Sequence, residues 1–416
     1  MNTPTHIAPN PHSSRRRAAR ITVLGLAFVL LAALVPLGRG QGAERSYLPV
    51  QTYDPPRFQA IPLGQGFNLV TSITHAGDDR LFIAERAGRI KILHPDGRIT
   101  VFLDITNQVI SSRGEYGFFD VAFHPGYTDP NSPGYGLFYV IYTTGYDIDF
   151  DNRDVRTILS RFRVSSNPDV ADRASETIIM REKQSFDVHK GGGMDFDKRD
   201  NMLYVGVGED RLLLIAQDSR SPKGKIVRFD VDRVPSDFVG DFSGQISDEI
   251  WAYGLRNPWR IDVDELGNNI YVGEVGDQRW EEVNLVPLLV KGYNYGWPCM
   301  EGPERIPEAN DIPQCQTNFQ PAIDQYAHRD GLGRCAVIGG KVYRPAANIS
   351  DNRFIFGDMC TREVFSLLRV NGVWQRTPLA RLDTLALFST FGEDRDGTLY
   401  LGTVADNGPI YRLNIP

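Results

Sequence analysis

The sequence predicts an all-β fold, a six-bladed β-propeller with long inter-blade loops. The main evidence is a unit that occurs six times: a polar turn followed by an alternating aromatic and aliphatic run. The copies are "DDRLFIAER" (78–86), "GYGLFYVIYT" (134–143), "RDNMLYVGVGE" (199–209), "LGNNIYVGEVG" (266–276), "SDNRFIFGDM" (350–359) and "RDGTLYLGT" (395–403). Most lead into a second run of the same character, such as "GRIKILHPDG" or "GKIVRFDVD". Short runs rich in Val, Ile, Tyr and Phe, bounded by Gly, Asp or Asn, read as strands between turns. They recur at intervals of 45 to 84 residues with no helical pattern between them. That recurrence favours a propeller over a β-sandwich.

Residues 1–40 stand apart. "SSRRRAAR" is a basic lead, "ITVLGLAFVLLAALVPL" (21–37) is an uncharged apolar run, and small residues follow at Gly38 and Gly40. This is the layout of an export signal or an N-terminal anchor, and it is the only expected contact with a membrane. Residues 41–416 are assigned to the propeller, which is placed in the periplasm or outside the cell. Without the five Arg of the leader, the formal charge moves from −7 to −12. An acidic body lacks the basic patches that nucleic acid requires, and it suits cations.

Along the body, "PIYRLNIP" at the C-terminus is expected to pair with an N-terminal strand and close the ring. The longest insertion, between the fourth and fifth copies, holds Cys299, Cys315 and Cys335; the fourth cysteine is Cys360. In an exported chain an even number reads as disulfides, and three pairings are open. Cys299–Cys315 and Cys335–Cys360, the two sequential loops, are favoured. No C-x-x-C spacing supports a thiolate metal site.

Several loops could carry chemistry. In "DVHKGGGMDF" one imidazole, His189, precedes three glycines, which permit close approach to the backbone. Glu115 sits between glycines in "RGEYGFF". Arg256 and Asn257 follow Gly254 and precede Pro258, a bend that presents a forked donor. "GEVGDQRWEEVN" (273–284) mixes carboxylates with a Gly-rich backbone, which suits calcium, although it is not an EF-hand. Gln217 and Asp218 lie in another polar loop. The nucleophile elbow, the phosphate-binding loop, the H-E-x-x-H motif and the dinucleotide fingerprint are all absent.

Together, "GEYGFFDVAFHPGY", "HKGGGMDF", "AYGLRNPWRIDVD", "GEVGDQRWEEVN", "GYNYGWPCMEG" and "FGEDRDGTLYLGT" resemble the soluble glucose/sorbosone dehydrogenases over about residues 60–416. These are six-bladed quinoproteins that use pyrroloquinoline quinone (PQQ) and calcium. The resemblance implies that His189 is the base that takes the proton of a sugar's anomeric hydroxyl while hydride passes to the quinone. It implies that Arg256 and Asn257 contact the cofactor, with Glu115 where glucose dehydrogenases carry a Gln. It implies that the backbone carbonyls of Gly276 and Asp277 hold the cofactor's calcium, and that Glu282 and Tyr295 serve a second, structural calcium. The glycines behind His189 would then leave room for the planar cofactor. The implied partners are a small sugar and an electron acceptor whose identity the sequence does not give.

The chain departs from that pattern late in the sequence. Where those dehydrogenases place a Lys and two Arg near the cofactor carboxylates, it reads "FGDMCTREVFSL" and "TLALFSTFGEDRDG", with Arg362 and Arg395 as shifted substitutes. The Asp that precedes the His in some members is Val188 here. The resemblance also extends to hedgehog-interacting-protein-like propellers, which implies an alternative, a non-catalytic binding module. A calcium-dependent propeller lactonase similar to regucalcin is a third reading.

Overall fold

The computed structural model describes residues 57–148, 153–233, 248–307, 312–315, 318–328, 331–344 and 352–416. The expected export segment, residues 1–40, lies outside the described residues. Among them no helix is long and apolar enough to cross a membrane.

The strands form six sheets arranged as the six blades the repeats imply, antiparallel except where Tyr293–Asn294 joins Ile250–Tyr253 in parallel at the edge of the third blade, plus a small hairpin, Met300–Glu301 with Glu304–Arg305. Their innermost strands are Val70–His75, Phe118–Phe123, Gly191–Asp197, Pro258–Asp264, Val337–Tyr343 and Phe388–Glu393. Each packs beside the inner strand of the next blade, and the last packs beside the first. The six sequence repeats are the second strands of the blades, among them Met202–Val207 and Asn269–Glu274. A blade has a neighbour on both faces, so both sides of a strand are buried. Leu203 and Val205 pack toward the second blade, while Tyr204 packs toward the fourth. That is why these runs are apolar almost throughout, where a half-exposed strand would alternate with polar residues.

The glycine in "YVG" and "IFG" also has a packing cause. A Cβ on Gly273 would lie 2.5 Å from the Cα of Gly339, and one on Gly206 would lie 2.7 Å from the carbonyl of Pro258. Each is the start of the next blade's inner strand, which needs backbone-to-backbone approach.

The ring closes as expected. Gln59–Phe67 is the outer strand of the sixth blade and pairs antiparallel with the C-terminal strand Gly408–Asn414. Because neighbouring strands alternate in direction, the links between blades and the loops after each second strand gather at one mouth of the channel, here the near mouth. The turns after the inner strands gather at the far mouth. Both expected disulfides, Cys299–Cys315 and Cys335–Cys360, are formed in near-mouth loops, and no free cysteine remains.

Between the mouths lies Arg260, only 6% exposed. Its guanidinium donates to Thr71 O at 2.5 Å, Phe119 O at 3.2 Å, Trp259 O at 2.9 Å and Thr390 Oγ1 at 3.3 Å. These acceptors come from the first, second, fourth and sixth blades. Burial lowers its pKa, and the buried Asp120 carboxylate opposes that shift. Arg260→Leu should lower unfolding stability by about 3–5 kcal/mol, because it leaves Asp120 as an uncompensated buried charge. Urea denaturation followed by tryptophan fluorescence measures this, and a loss below about 1 kcal/mol would refute the hub.

Candidate active site

The near mouth gathers most of the residues singled out from sequence. His189 and Glu115 stand on inter-blade links, Arg256 and Asn257 on the link into the fourth blade, and Gly276 and Asp277 on the loop after that blade's second strand. His189 has φ 58°, in the left-handed region that side-chain-bearing residues seldom adopt. The next loop repeats this at Asp210 (φ 59°) and Arg211 (φ 55°). Such strain persists where the surroundings over-determine it.

The surroundings here are charged and buried. Asp210, fully buried, accepts from the backbone of Ser185 at 2.6 Å and Phe186 at 2.9 Å, and from Lys190 Nζ at 2.5 Å and Lys223 Nζ at 2.9 Å. Its own N–H donates to His189 O at 3.2 Å. The Lys190 ammonium is lowered by burial, which Asp210 counteracts.

The imidazole itself is held at both nitrogens. Nδ1 lies 2.5 Å from Glu209 Oε1, and Nε2 lies 2.9 Å from Arg256 Nη2. A guanidinium can only donate, so Nε2 is the acceptor and the proton sits on Nδ1, facing Glu209. Arg256 also donates to Asp277 Oδ1 at 2.8 Å and to Val275 O at 3.0 Å, and stacks 5.5 Å from the Trp297 ring. Glu209, His189, Arg256 and Asp277 thus form one chain of contacts. A second chain joins it. Asn257 Oδ1 accepts from Gly191 N at 2.8 Å, Asn257 Nδ2 approaches Glu115 Oε2 at 3.4 Å, and Glu115 Oε2 accepts from Lys190 N at 2.9 Å.

Behind these groups a small cavity is lined by Gly276, Glu282, Tyr295, Glu274 and Glu301. Glu274 Oε1 accepts from the backbone of Arg256 at 2.6 Å and Asn257 at 2.8 Å, whereas its Oε2 is buried without a partner. Burial raises Glu274 to about 8 and Glu282 to about 6. Glu301 Oε1 accepts from the backbone N–H groups of Asp277, Gln278, Arg279 and Trp280 and fixes that loop. Tyr295 turns its hydroxyl to Leu285 O at 2.6 Å. The donor set is all oxygen, and the orphaned carboxylate oxygen fits a hard cation. Among the described residues no three His, Cys, Asp or Glu side chains already form a closed cage.

Three expectations change. The glycines after His189 make room for protein, not for a ligand. A Cβ on Gly191 would meet Gly206 O at 2.7 Å, one on Gly192 the Phe119 side chain at 2.6 Å, and one on Gly193 the Arg260 Cα at 2.8 Å. Arg395 cannot substitute for a cofactor-binding cation, because it sits in a far-mouth turn and pairs with Asp79 at 2.9 Å. Arg362 is on the near mouth but faces Asp383 at 3.9 Å. The two late stretches do reach the channel, through Met359, Phe388 and Ser389, and bring no cation into the cavity there. Gln217 proves structural, donating to Asn294 Oδ1 and Trp297 O, and Asp218 pairs with Arg220. Sequence reading missed Glu209 and Asp210, and had Glu274 only as one of the carboxylates of the 273–284 loop. Their signal was position: each follows a repeat's glycine at the end of a second strand, hence at the near mouth.

Residues 67–412 match the family model described as Glucose / Sorbosone dehydrogenase. HIPL1 protein of Arabidopsis thaliana is 26% identical over 396 residues, covering 76% of this chain and 55% of that protein. Hedgehog-interacting protein of Homo sapiens is 30% identical over 390 residues, 82% of this chain and 50% of that one. Aldose sugar dehydrogenase YliI of Escherichia coli is 34% identical over 113 residues, 26% and 29% of the two chains. The chain spans about half the length of the curated relatives HIPL1 and HIPL2. The apo soluble aldose sugar dehydrogenase of Escherichia coli superposes with a TM-score of 0.70 at 20% identity, over 86% of this chain and 100% of that one. The PQQ-bound aldose sugar dehydrogenase of Streptomyces coelicolor gives 0.66 at 18%, over 87% and 99%. At such identity these structures speak to the fold alone.

The tautomer is directly measurable. Imidazole nitrogen NMR should show His189 protonated on Nδ1, and Glu209→Ala should convert it to a mixture of tautomers. An unchanged spectrum would show that Glu209 does not orient the ring.

Proposed function

The chain belongs to the glucose/sorbosone dehydrogenase family, and on that premise we propose that it is an exported sugar dehydrogenase that oxidises the anomeric hydroxyl of an aldose to a lactone. The observation that carries this reading is His189, held by the buried Glu209 and opposed by Arg256 at the near mouth. A base needs hydrogen-bond reach and a fixed tautomer, and this imidazole offers Nε2 as the acceptor.

In the reaction the sugar hydroxyl takes Arg256's place at Nε2 and gives up its proton. The C1–H bond leaves as hydride, and the C1–O bond becomes a carbonyl. A bound quinone, held with calcium, would supply the two-electron acceptor. Arg256 fits its reacting end: the guanidinium has one buried nitrogen, Nε, without a partner, and can turn its other donors from His189 toward a carbonyl oxygen. Asn257 and Glu115 stand beside it. Gly276 and Asp277 would offer carbonyls to the cofactor's calcium, and Glu282 with Glu274 would hold a second calcium near Tyr295. Two disulfides and the apolar run at 21–37 support an oxidising compartment, periplasmic or extracellular.

A non-catalytic binding propeller is the second reading. It is favoured by the uncharged wall that Met359, Phe388 and Ser389 give the cavity and by the likeness to hedgehog-interacting protein.

Two outcomes test the proposal. With quinone, calcium and an aldose panel, wild type should reduce a dye, and His189→Ala should lose about 10²–10⁴ in kcat. A panel with no turnover, or full activity in the variant, sinks the enzyme reading. The second outcome concerns calcium. An unfolded glutamate titrates near about 4.3, below the folded values of Glu274 and Glu282. Without a cation the folded chain therefore holds more protons than the unfolded chain, and stability falls as pH rises from about 4.3 to about 8. Calcium should raise the melting temperature more at pH about 8 than at about 5, and Glu274→Gln should erase most of that gain. Equal gains at both pH values would remove the carboxylates from the cation site.

A further inference from the structure

We propose that the near-mouth cavity selects a flat quinone that is neutral or carries at most one carboxylate, in preference to a tricarboxylate such as pyrroloquinoline quinone. The inference rests on the dehydrogenase reading and narrows its cofactor.

The cavity lies beside Asn257 and Glu115, has a volume of about 230 Å³, and is walled mainly by Trp259, Val275, Ile338, Met359, Phe388 and Val404. Two charged side chains line it, Arg86 and Glu115. Their charges offset each other, and both are partly engaged. Arg86 Nε donates to Tyr116 O at 2.7 Å, and its Nη2 donates to Gly114 O at 2.6 Å. Burial lowers the Arg86 pKa, and the Glu115 charge acts against that shift. Glu115 in turn accepts from Lys190 N at 2.9 Å. At the rim, Arg256 pairs with Asp277, whereas Arg362 has Asp383 only at 3.9 Å, a carboxylate that Arg381 holds at 2.8 Å. Among the described residues, the cavity lining itself thus holds no surplus of positive charge.

Three carboxylates brought here would leave water for a wall that returns few hydrogen bonds and little opposite charge. Buried charges are tolerated only when paired. One calcium at the Gly276–Asp277 backbone offsets two of the three charges, on one side of the ring only. The fifth- and sixth-blade side, where Met359 and Phe388 stand, would face the remainder. A planar ring without those groups loses no charge hydration and gains apolar contact with the same wall. A single carboxylate can be met by Arg86.

The test is equilibrium binding to the full purified chain in millimolar calcium at about 0.15 M salt, read by quenching of tryptophan emission and by calorimetry. The probes are pyrroloquinoline quinone, its trimethyl ester, and phenanthrenequinone. The neutral probes should bind at least about tenfold more tightly than the tricarboxylate. Ala336→Phe, which fills the cavity, should abolish that binding and so exclude adsorption elsewhere. Met359→Lys combined with Ser389→Arg should reverse the order and make tricarboxylate binding fall with salt. Tighter binding of the tricarboxylate by wild type overturns the inference and leaves the dehydrogenase reading standing. Failure of all three probes to bind overturns both.

Discussion

A single guanidinium ties the middle of this ring together. Arg260 reaches acceptors on the first, second, fourth and sixth blades, so it fixes how far apart the inner strands stand. Sheets that pack only face to face could slide along one another, since apolar contact is non-directional. Directed hydrogen bonds in the centre remove that freedom. The pairing of Gln59–Phe67 with Gly408–Asn414 does the same at the circumference. Everything at the near mouth inherits its position from these two constraints, because each site residue stands within a few positions of an inner or second strand.

The site built on that frame is unusual in its share of buried charge. Asp210 takes four donors, two of them ammonium groups, and by doing so holds the link that carries His189 in a left-handed conformation. Glu274 spends one carboxylate oxygen on the backbone of Arg256 and Asn257. The side chains that would meet substrate are therefore positioned by carboxylates one layer deeper. Glu209 sets the tautomer, and Asp277 keeps Arg256 extended across the mouth until another acceptor competes for it.

Much of the fold was legible in the sequence because two-sided burial makes the second strands both apolar and repetitive. The disulfides were legible because the four cysteines fall in two sequential loops. His189, Arg256 and Asn257 stood out through the bends around them and the family resemblance. What could not be read was direction. Whether a residue faces the near or the far mouth depends on which strand of a blade it follows. For that reason Arg395, which follows an inner strand, looked interchangeable with Arg362, which follows a second strand. The same blindness hid Glu209, which follows a second strand. The glycines of "HKGGGM" were misjudged for a different reason: a sequence shows that side chains are missing but not whether backbone or ligand takes their place.

The closing strand pair has a practical corollary. Gln59 lies opposite Asn414, at the end of the blade away from His189. Both ends of the propeller therefore emerge on the same side, across the ring from the site. A bead, a surface or a fused domain attached at either end of the propeller would leave the near mouth turned outward. A capture reagent raised against the near-mouth loops would instead obstruct it. For a channel entered from the near mouth, that polarity decides which immobilisation chemistry keeps the entrance open.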